Sequence, residues 1–315
     1  MSDFLGIDTS NYTTSAAVFS DVKNSIVQNK KLLPVKSGEC GLRQSDAVFH
    51  HTNQLSEILK DLLINYRELK AVGVSTRPRN IEGSYMPCFL TGKTVAEIIA
   101  YATGAKLFYT SHQLGHIAAA LYSCSQLDFF EKKFLAFHVS GGTTDCLICN
   151  PDKEEIINAK LFSSSLDLKA GQAIDRIGIE MGLDFPCGKQ LEKLAEKSDE
   201  EFKINIKLKD NNCCLSGLEN KCKKMLSDGY SNEDTANYCL TFIGKTIKAM
   251  TEKAIESFGN LPVVYAGGVM SNKYIKGMLE NSFDAYFAEP EYSCDNGAGI
   301  AVIASEKYKR KNRKC

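Results

Sequence analysis

The fold is decided by the stretch FLGIDTSNYTTSAAVF, which spans residues 4–19. Apolar runs at 4–8 and 15–19 predict two β-strands, because both are short and are bounded by turn residues. Small and hydroxyl-bearing residues form the turn between them. The stretch FLAFHVSGGTTDCLIC (134–149) repeats this design around the turn 140–144. Two halves that each begin with such a hairpin predict an α/β protein with the actin-like ATPase fold, in which two duplicated lobes carry mixed sheets flanked by helices.

The length of 315 residues also favours two lobes over a single domain. Helical spacing of apolar residues recurs in both halves, for example over 45–66 and 235–258. We therefore expect an N-terminal lobe over residues 1–122 and a C-terminal lobe over 123–295. A last helix within 296–315 is expected to pack back on the first lobe, and the ligand is expected between the lobes.

Charge and cysteine content limit the function classes. Basic and acidic residues balance at 38 each, which argues against wholesale electrostatic adhesion to nucleic acid, although a local basic patch remains compatible. The clearest patch, 307–314, is interpreted as a solvated C-terminus. The sequence shows neither a signal segment nor a membrane span, so we expect a cytoplasmic protein with no membrane partner. The twelve cysteines are then interpreted as reduced.

Three turns rich in glycine and hydroxyl groups predict a nucleotide site. The first, with Asp8, Thr9 and Ser10, can hold phosphate oxygens or a phosphate-bound Mg²⁺. In the second, glycine lets the backbone approach a phosphate; its residues are Ser140, Gly141, Gly142 and Thr143. In the third, a helix N-terminus favours an anion close to the base or ribose; its residues are Gly267, Gly268 and Asn272. Each turn alone is common, and their order in two lobes predicts binding of ATP or ADP.

A pair of histidines predicts a metal site. His112 and His116 lie four residues apart in a predicted helix that Ser111 caps, so both imidazoles face the same side. Nitrogen ligands in this arrangement suit a transition metal, and the alternative is two ordinary histidines. The peptidase motif HExxH is absent, so the pair brings no general base. A third ligand has to come from elsewhere, and Asp295 is a candidate unless it only caps the last helix.

Together these motifs resemble the threonylcarbamoyl-adenosine synthases (TsaD-like), a family of tRNA-modifying proteins formerly described as O-sialoglycoprotein endopeptidases. The similarity runs nearly from end to end. It is carried by LGIDTS (5–10), the HxxxH segment, VSGG (139–142), LKAGQAIDR (168–176), GLDFP (182–186), LSGL (215–218), AGGV (266–269) with Asn272, and CDN (294–296).

This resemblance implies a site and a reaction. It implies that His112, His116 and Asp295 hold one iron or zinc ion. It implies nucleotide or acyl-adenylate contacts from Asp167, Gly171, Asp175, Gly268 and Asn272. Family members transfer an L-threonylcarbamoyl group from its adenylate to N6 of adenosine 37 in tRNAs that read ANN codons. The implied partners are tRNA, an actin-like paralogue and a small ATPase. The chain itself is expected to form a homo- or heterodimer.

Several departures from the family pattern indicate a divergent paralogue. Tyr12 and Thr13 replace two acids, and Thr143 replaces a histidine. Arg77-Pro78-Arg79 stands where Gly-Pro-Gly is usual, and His51 is interpreted as a surface histidine on an amphipathic helix. Threonylcarbamoyl transfer is the first hypothesis, although no catalytic residue is identified. The alternatives are a non-catalytic nucleotide- and metal-binding regulator and a carbamoyl or phosphoryl transferase that acts on a small molecule. A metallopeptidase is disfavoured.

Overall fold

The computed structural model describes residues 2–10, 12–34, 42–66, 68–293 and 297–313. The chain forms two compact units. The first comprises Met1–Glu131, Pro151–Asn158 and Glu291–Cys315, and the second comprises Lys132–Asn150 and Ala159–Pro290. None of the helices within the described ranges combines the length and apolar character needed to cross a membrane.

Ten strands form two five-stranded sheets in the described ranges. The strands are β1 Asp3–Asp8, β2 Thr13–Ser20, β3 Ser25–Leu32, β4 Leu69–Arg77, β5 Lys106–Ser111, β6 Phe134–Val139, β7 Thr144–Asp152, β8 Ile156–Ser164, β9 Val263–Ala266 and β10 Ala285–Phe287. The helices are α1 Gln44–Asn65, α2 Phe89–Thr103, α3 His112–Ser123, α4 Ala170–Glu180, α5 Gly188–Ala195, α6 Ser216–Ser227, α7 Asn232–Phe258, α8 Lys273–Glu280 and α9 Ala298–Asn312.

The sheet of the first unit has the order β3-β2-β1-β4-β5. The tight turns make β1, β2 and β3 antiparallel, whereas the helical crossovers make β1, β4 and β5 parallel. Helices α1 and α2 bury apolar side chains against Leu5, Ile7 and Val72 on one face. On the other face α9 packs directly against the backbone of β1. A Cβ on Gly6 would lie only 2.3 Å from the amide nitrogen of Ala301, so there is no room for a side chain at this position.

The sheet of the second unit has the order β10-β9-β6-β7-β8. β6 pairs antiparallel with β7 and parallel with β9, so β6 and β9 end at the same edge. The long helix α7 and the fully buried ring of Tyr265 belong to one core cluster with residues of α4, α5 and α6. Cys146 lies in this cluster and Cys149 is equally buried, so both members of the CxxC pair are buried strand residues, as predicted.

The apolar pattern of the sequence does not predict β8, α6 or β10. Polar residues interrupt the apolar pattern in β8 and α6, and β10 has only three residues, so their apolar periodicity is weak. The interpretation of 307–314 as a solvated end is wrong for Lys307 and Arg310. Helix α9 continues to Asn312, and the amine of Lys307 donates to Glu155 Oε2 at 2.8 Å. The guanidinium of Arg310 pairs with Glu131 and Glu306.

Candidate metal centre and nucleotide cavity

The two histidines open helix α3 in the first unit. Ser111 caps the helix as predicted, since its hydroxyl accepts a hydrogen bond from the amide of Leu114 at 3.3 Å. One helical turn separates His112 from His116, and their Nε2 atoms lie 3.0 Å apart. His116 is 7% exposed, and the side chain of His112 is 21% exposed. The pair therefore presents two converging nitrogen atoms.

Asp8 lies against the other side of the His112 ring. Because β1, β4 and β5 are parallel, their carboxyl ends meet at one edge, where Asp8 ends β1 and His112 follows β5. Oδ2 of Asp8 is 3.1 Å from Nδ1 of His112. The hydroxyl of Ser10 donates to Oδ2 at 2.6 Å, and the hydroxyl of Ser75 donates to Oδ1. Asp8 is completely buried, so the carboxylate belongs to an internal polar network.

The histidine pair fits a transition metal. Zinc sits about 2.0–2.1 Å from a histidine nitrogen, so two nitrogens 3.0 Å apart can both reach one ion. The predicted third ligand, Asp295, lies outside the described residues. Within the described ranges there is no group of three or more His, Cys, Asp or Glu side chains that could hold a metal ion. The described part of the candidate centre thus supplies two nitrogen donors, together with the carboxylate of Asp8 on the Nδ1 side of the His112 ring.

Thr9, in the first turn, and His51, in α1, both make buried hydrogen-bond contacts within the first unit. The hydroxyl of Thr9 donates to the carbonyl of Cys88 at 3.0 Å and accepts from the amide of Gly92 at 3.1 Å. The surface interpretation of His51 is wrong, because this histidine is completely buried. Its Nδ1 lies 2.8 Å from the hydroxyl of Thr14. The spacing could have shown this, since His51 lies on the helix face that buries Leu55.

The second unit holds a cavity of about 470 Å³, a size typical of small-molecule sites. It lies at the edge where β6 and β9 end and where α4 begins. Six of the residues predicted for the nucleotide line it: Ser140, Gly141, Gly171, Asp175, Gly268 and Asn272. Four other predicted residues of this unit are outside its lining: Gly142, Thr143, Asp167 and Gly267.

Glycine is required at two positions around this cavity. A Cβ on Gly171 would lie 2.6 Å from the amide nitrogen of Gly141, so α4 begins in direct backbone contact with the turn after β6. Gly267 has a φ of +101°, and a Cβ there would meet the carbonyl oxygen of Val139 at 2.2 Å. Only glycine fits these contacts, which hold the turn after β6 against the start of α4 and the end of β6 against the segment that follows β9.

The two predicted carboxylates of this unit have different surroundings. Burial raises the pKa of Asp175, and the hydrogen bond that its Oδ1 accepts from the amide of Cys187 only partly opposes this. Burial would also raise the pKa of Asp167, but hydrogen bonds from Ser216, Leu215 and Leu168 outweigh it and lower that pKa. Asp167 therefore anchors the start of α6, while Asp175 faces the cavity.

Sequence reasoning missed seven residues of the cavity wall: Ile174, Pro186, Gly188, Lys189, Glu192, Val269 and Ser271. Two of these carry charge, and both lie on α5. Glu192 Oε1 accepts a hydrogen bond from the amide of Lys273 at 2.8 Å, which joins α5 to the start of α8. The segment GKQLEKLA shows an ordinary amphipathic pattern, so only the packing of α5 identifies Lys189 and Glu192.

Comparison with known proteins identifies relatives over nearly the whole chain. The family model TsaD, described as tRNA N6-adenosine threonylcarbamoyltransferase, matches residues 26–302. Proteins of that description include one from Nanoarchaeum equitans, 26% identical over 96% of this chain and 93% of the relative. Another, from Brachyspira hyodysenteriae, is 29% identical over 98% of this chain and 92% of the relative. A probable bifunctional tRNA threonylcarbamoyladenosine biosynthesis protein from Thermoplasma acidophilum is 25% identical over 97% of this chain.

The chain spans only 56% of the length of that bifunctional relative and of its counterpart in Methanothermobacter thermautotrophicus.

Among solved structures, the (R)-2-hydroxyglutaryl-CoA dehydratase component A of Acidaminococcus fermentans superposes with a TM-score of 0.59 at 17% identity, over 98% of this chain and all of that chain. Full-length HypF, in its phosphate- and nucleotide-bound form, superposes with a TM-score of 0.62 at 11% identity, over the whole of this chain and 47% of HypF. These similarities confirm the predicted α/β, actin-like ATPase fold.

Proposed function

Because the chain belongs to the TsaD family of tRNA N6-adenosine threonylcarbamoyltransferases, we propose that it transfers a threonylcarbamoyl group to tRNA. The donor is threonylcarbamoyl-adenylate, and the acceptor is N6 of adenosine 37 in tRNAs that read ANN codons. In the reaction the N6 nitrogen bonds to the carbamoyl carbon and loses a proton, and the bond from that carbon to AMP breaks. The family match over most of the chain is the observation that carries this proposal.

The histidine pair is the proposed metal centre for this reaction. His112 and His116 supply two nitrogen ligands, and Asp295 supplies an oxygen ligand to an iron or zinc ion. A metal bound there would act as a Lewis acid toward the carbamoyl carbonyl. The 3.0 Å separation of the two Nε2 atoms supports this assignment, as does the burial of His116, which keeps its ring in one orientation.

The cavity of the second unit is the proposed site for the AMP part of the donor, or for ATP or ADP. Its walls are backbone at Gly141, Gly171 and Gly268, which permits close approach of a ribose and phosphate. Asp175 and Glu192 offer acceptor oxygens for hydroxyl groups, and Lys189 offers a cation at the rim. HypF, which shares the fold, is described in a phosphate- and nucleotide-bound form, and a ROK glucokinase of the same fold in complex with AMPPNP.

The proposed partners are tRNA, an actin-like paralogue and a small ATPase. Two relatives support the association with a second activity, because both are described as probable bifunctional proteins and the match covers only 56% of their length. We therefore expect that full transfer requires proteins besides this chain.

A second candidate function is a regulator that binds nucleotide and metal without transferring the group. Positions 12 and 13 favour it, because Tyr12 and Thr13 stand where the family has acids. Thr13 is moreover a buried residue at the start of β2. A side chain there that lacks a carboxylate cannot contribute negative charge to metal or phosphate chemistry.

One experiment separates the two candidates. The purified chain, alone and with its partner proteins, is incubated with threonylcarbamoyl-adenylate and unmodified tRNA, and the nucleosides are analysed by mass spectrometry. We expect the modified adenosine with wild type and its loss in His112→Ala, whereas Asp21→Asn in the same unit should retain it. ADP binding without any product would identify the regulator instead. The double variant Tyr12→Asp/Thr13→Glu should then gain transfer if the missing acids are the cause.

A further inference from the structure

We propose that Asp8 is the positioning residue of the metal centre: it holds the His112 ring so that Nε2 points at the metal. This inference deepens the proposed function and rests on its metal site. It also reassigns Asp8, which the sequence placed with the nucleotide phosphates. Three observations carry it: the contact with His112, the contacts that hold Asp8 itself, and its burial.

The first observation is a hydrogen bond across 104 positions of sequence. Nδ1 of His112 lies 3.1 Å from Oδ2 of Asp8, while Nε2 of the same ring faces Nε2 of His116 at 3.0 Å. The two nitrogens of one imidazole therefore have separate partners. A metal-ligating histidine typically donates its other ring N–H to a carboxylate, which fixes the ring orientation and the tautomer.

The second observation indicates the direction of that hydrogen bond. The hydroxyls of Ser10 and Ser75 both donate to the Asp8 carboxylate, one to each oxygen. A carboxylate that receives these two bonds acts as an acceptor toward the ring as well, so Nδ1 of His112 carries the hydrogen. A neutral imidazole protonated on Nδ1 has its lone pair on Nε2, which is the form that binds a metal.

The third observation is the burial of Asp8. It is completely buried at the end of β1, and its two oxygens already have three partners from three different strand ends. Asp8 thus lies between Ser75 and His112, the position expected of a residue that holds the ring of the first proposed metal ligand.

Cobalt binding tests the proposal without any transfer assay. Co²⁺ is titrated into wild type and variants, and its visible absorption reports affinity. Loss of an outer-shell partner typically weakens metal binding by about 10–100-fold, and we expect a loss of that size for Asp8→Asn. His112→Ala should lose the binding altogether. Asp21→Asn, which alters a carboxylate paired with Lys309 in the same unit, should bind like wild type.

A second measurement uses wild type alone, so it does not depend on how well a variant folds. Long-range ¹⁵N–¹H correlation spectra of the metal-free protein distinguish the two histidine tautomers, and the signals of His112 are identified by their loss in His112→Ala. We expect His112 to be protonated on Nδ1. A wild-type His112 protonated only on Nε2 would overturn the proposal.

The outcomes also separate this proposal from the proposed function. Unchanged Co²⁺ affinity in folded Asp8→Asn overturns the role of Asp8 and leaves threonylcarbamoyl transfer untouched. A negative transfer assay together with weaker Co²⁺ binding in Asp8→Asn overturns the transfer and keeps the positioning role. Binding of Co²⁺ by His112→Ala with wild-type affinity would remove the metal centre, and the role of Asp8 with it.

Discussion

Individual glycines set how closely the helices of the first unit approach. Gly299 of α9 lies against α3, where an added Cβ would stand 1.8 Å from the carbonyl oxygen of Gly115. Such a distance leaves no room for any side chain. The position of α3, and with it the position of both histidines, therefore depends on a backbone contact.

We expect Gly299→Ala to destabilise the protein by about 1–3 kcal/mol or more, because overpacking forces the two helices apart. Chemical denaturation measures this loss. Gly277→Ala is the matched control, since Gly277 lies in α8 with open space around it and alanine is favoured in a helix. A loss of equal size in the control would contradict the explanation by close contact.

Asp167 predicts a pH dependence of stability. Its folded pKa is lowered from 3.8 because hydrogen bonds from Ser216, Leu215 and Leu168 outweigh burial. A lowered pKa means stability that is fully present above the unfolded value and is lost as the pH falls through the folded value. We expect the urea concentration at the unfolding midpoint to decrease when the pH is lowered below about 4. This decrease should be smaller in Asp167→Asn. Asp199→Asn, at an exposed carboxylate of the same unit, should follow wild type.

At the level of elements, helix α9 joins parts of the first unit that are far apart in sequence. Its Lys307 bonds to the carbonyl of Tyr109 at 2.9 Å and to Glu155 at 2.8 Å, and Glu155 also pairs with Arg77. The side chain of Lys307 is only 11% exposed, whereas that of Lys309 in the same helix is 38% exposed. Two lysines of one helix thus have different surroundings.

We expect Lys307→Met to cost about 1.5–3 kcal/mol, because it removes hydrogen bonds made by a charged and largely buried group. Lys309→Met should cost no more than about 1 kcal/mol, since exposed ion pairs contribute little. Urea denaturation of both variants checks the difference. Equal losses would show that the ion pair of Lys307 contributes no more than a surface contact.

At the scale of the whole molecule, the proposed metal and nucleotide sites belong to different units, and each has its own core. A ligand at 100 times its dissociation constant stabilises the unit it binds by about 2.7 kcal/mol. A substitution in one unit should therefore remove the stabilisation by the ligand of that unit and leave the stabilisation by the other ligand unchanged.

Thermal unfolding with ADP or Co²⁺ tests this separation. We expect Gly171→Ala to abolish the rise in melting temperature caused by ADP, because its Cβ would collide with Gly141 in the cavity wall. The same variant should keep the rise caused by Co²⁺. His112→Ala should show the opposite pattern. Loss of both effects in either variant would contradict independent sites.

Much of this molecule could be predicted from local patterns. The period of apolar residues predicted α1 and α7, and the hydroxyl-rich turns predicted the two hairpins that begin the sheets. The HxxxH spacing predicted that both imidazoles share one side of α3, and their Nε2 atoms do converge. These features follow from the 3.6- and 2-residue periods, which the order of residues alone expresses.

Other features were decided only by tertiary structure. Asp8 and His112 are 104 positions apart, and they meet because parallel strands bring β1 and β5 to one edge of a sheet. His51 is buried against Thr14, and Glu192 reaches the cavity only through the packing of α5. The sequence by itself determined the fold family and the helical spacing that brings His112 and His116 together. Tertiary structure decided which carboxylate contacts His112, because long-range contacts leave no mark in local spacing.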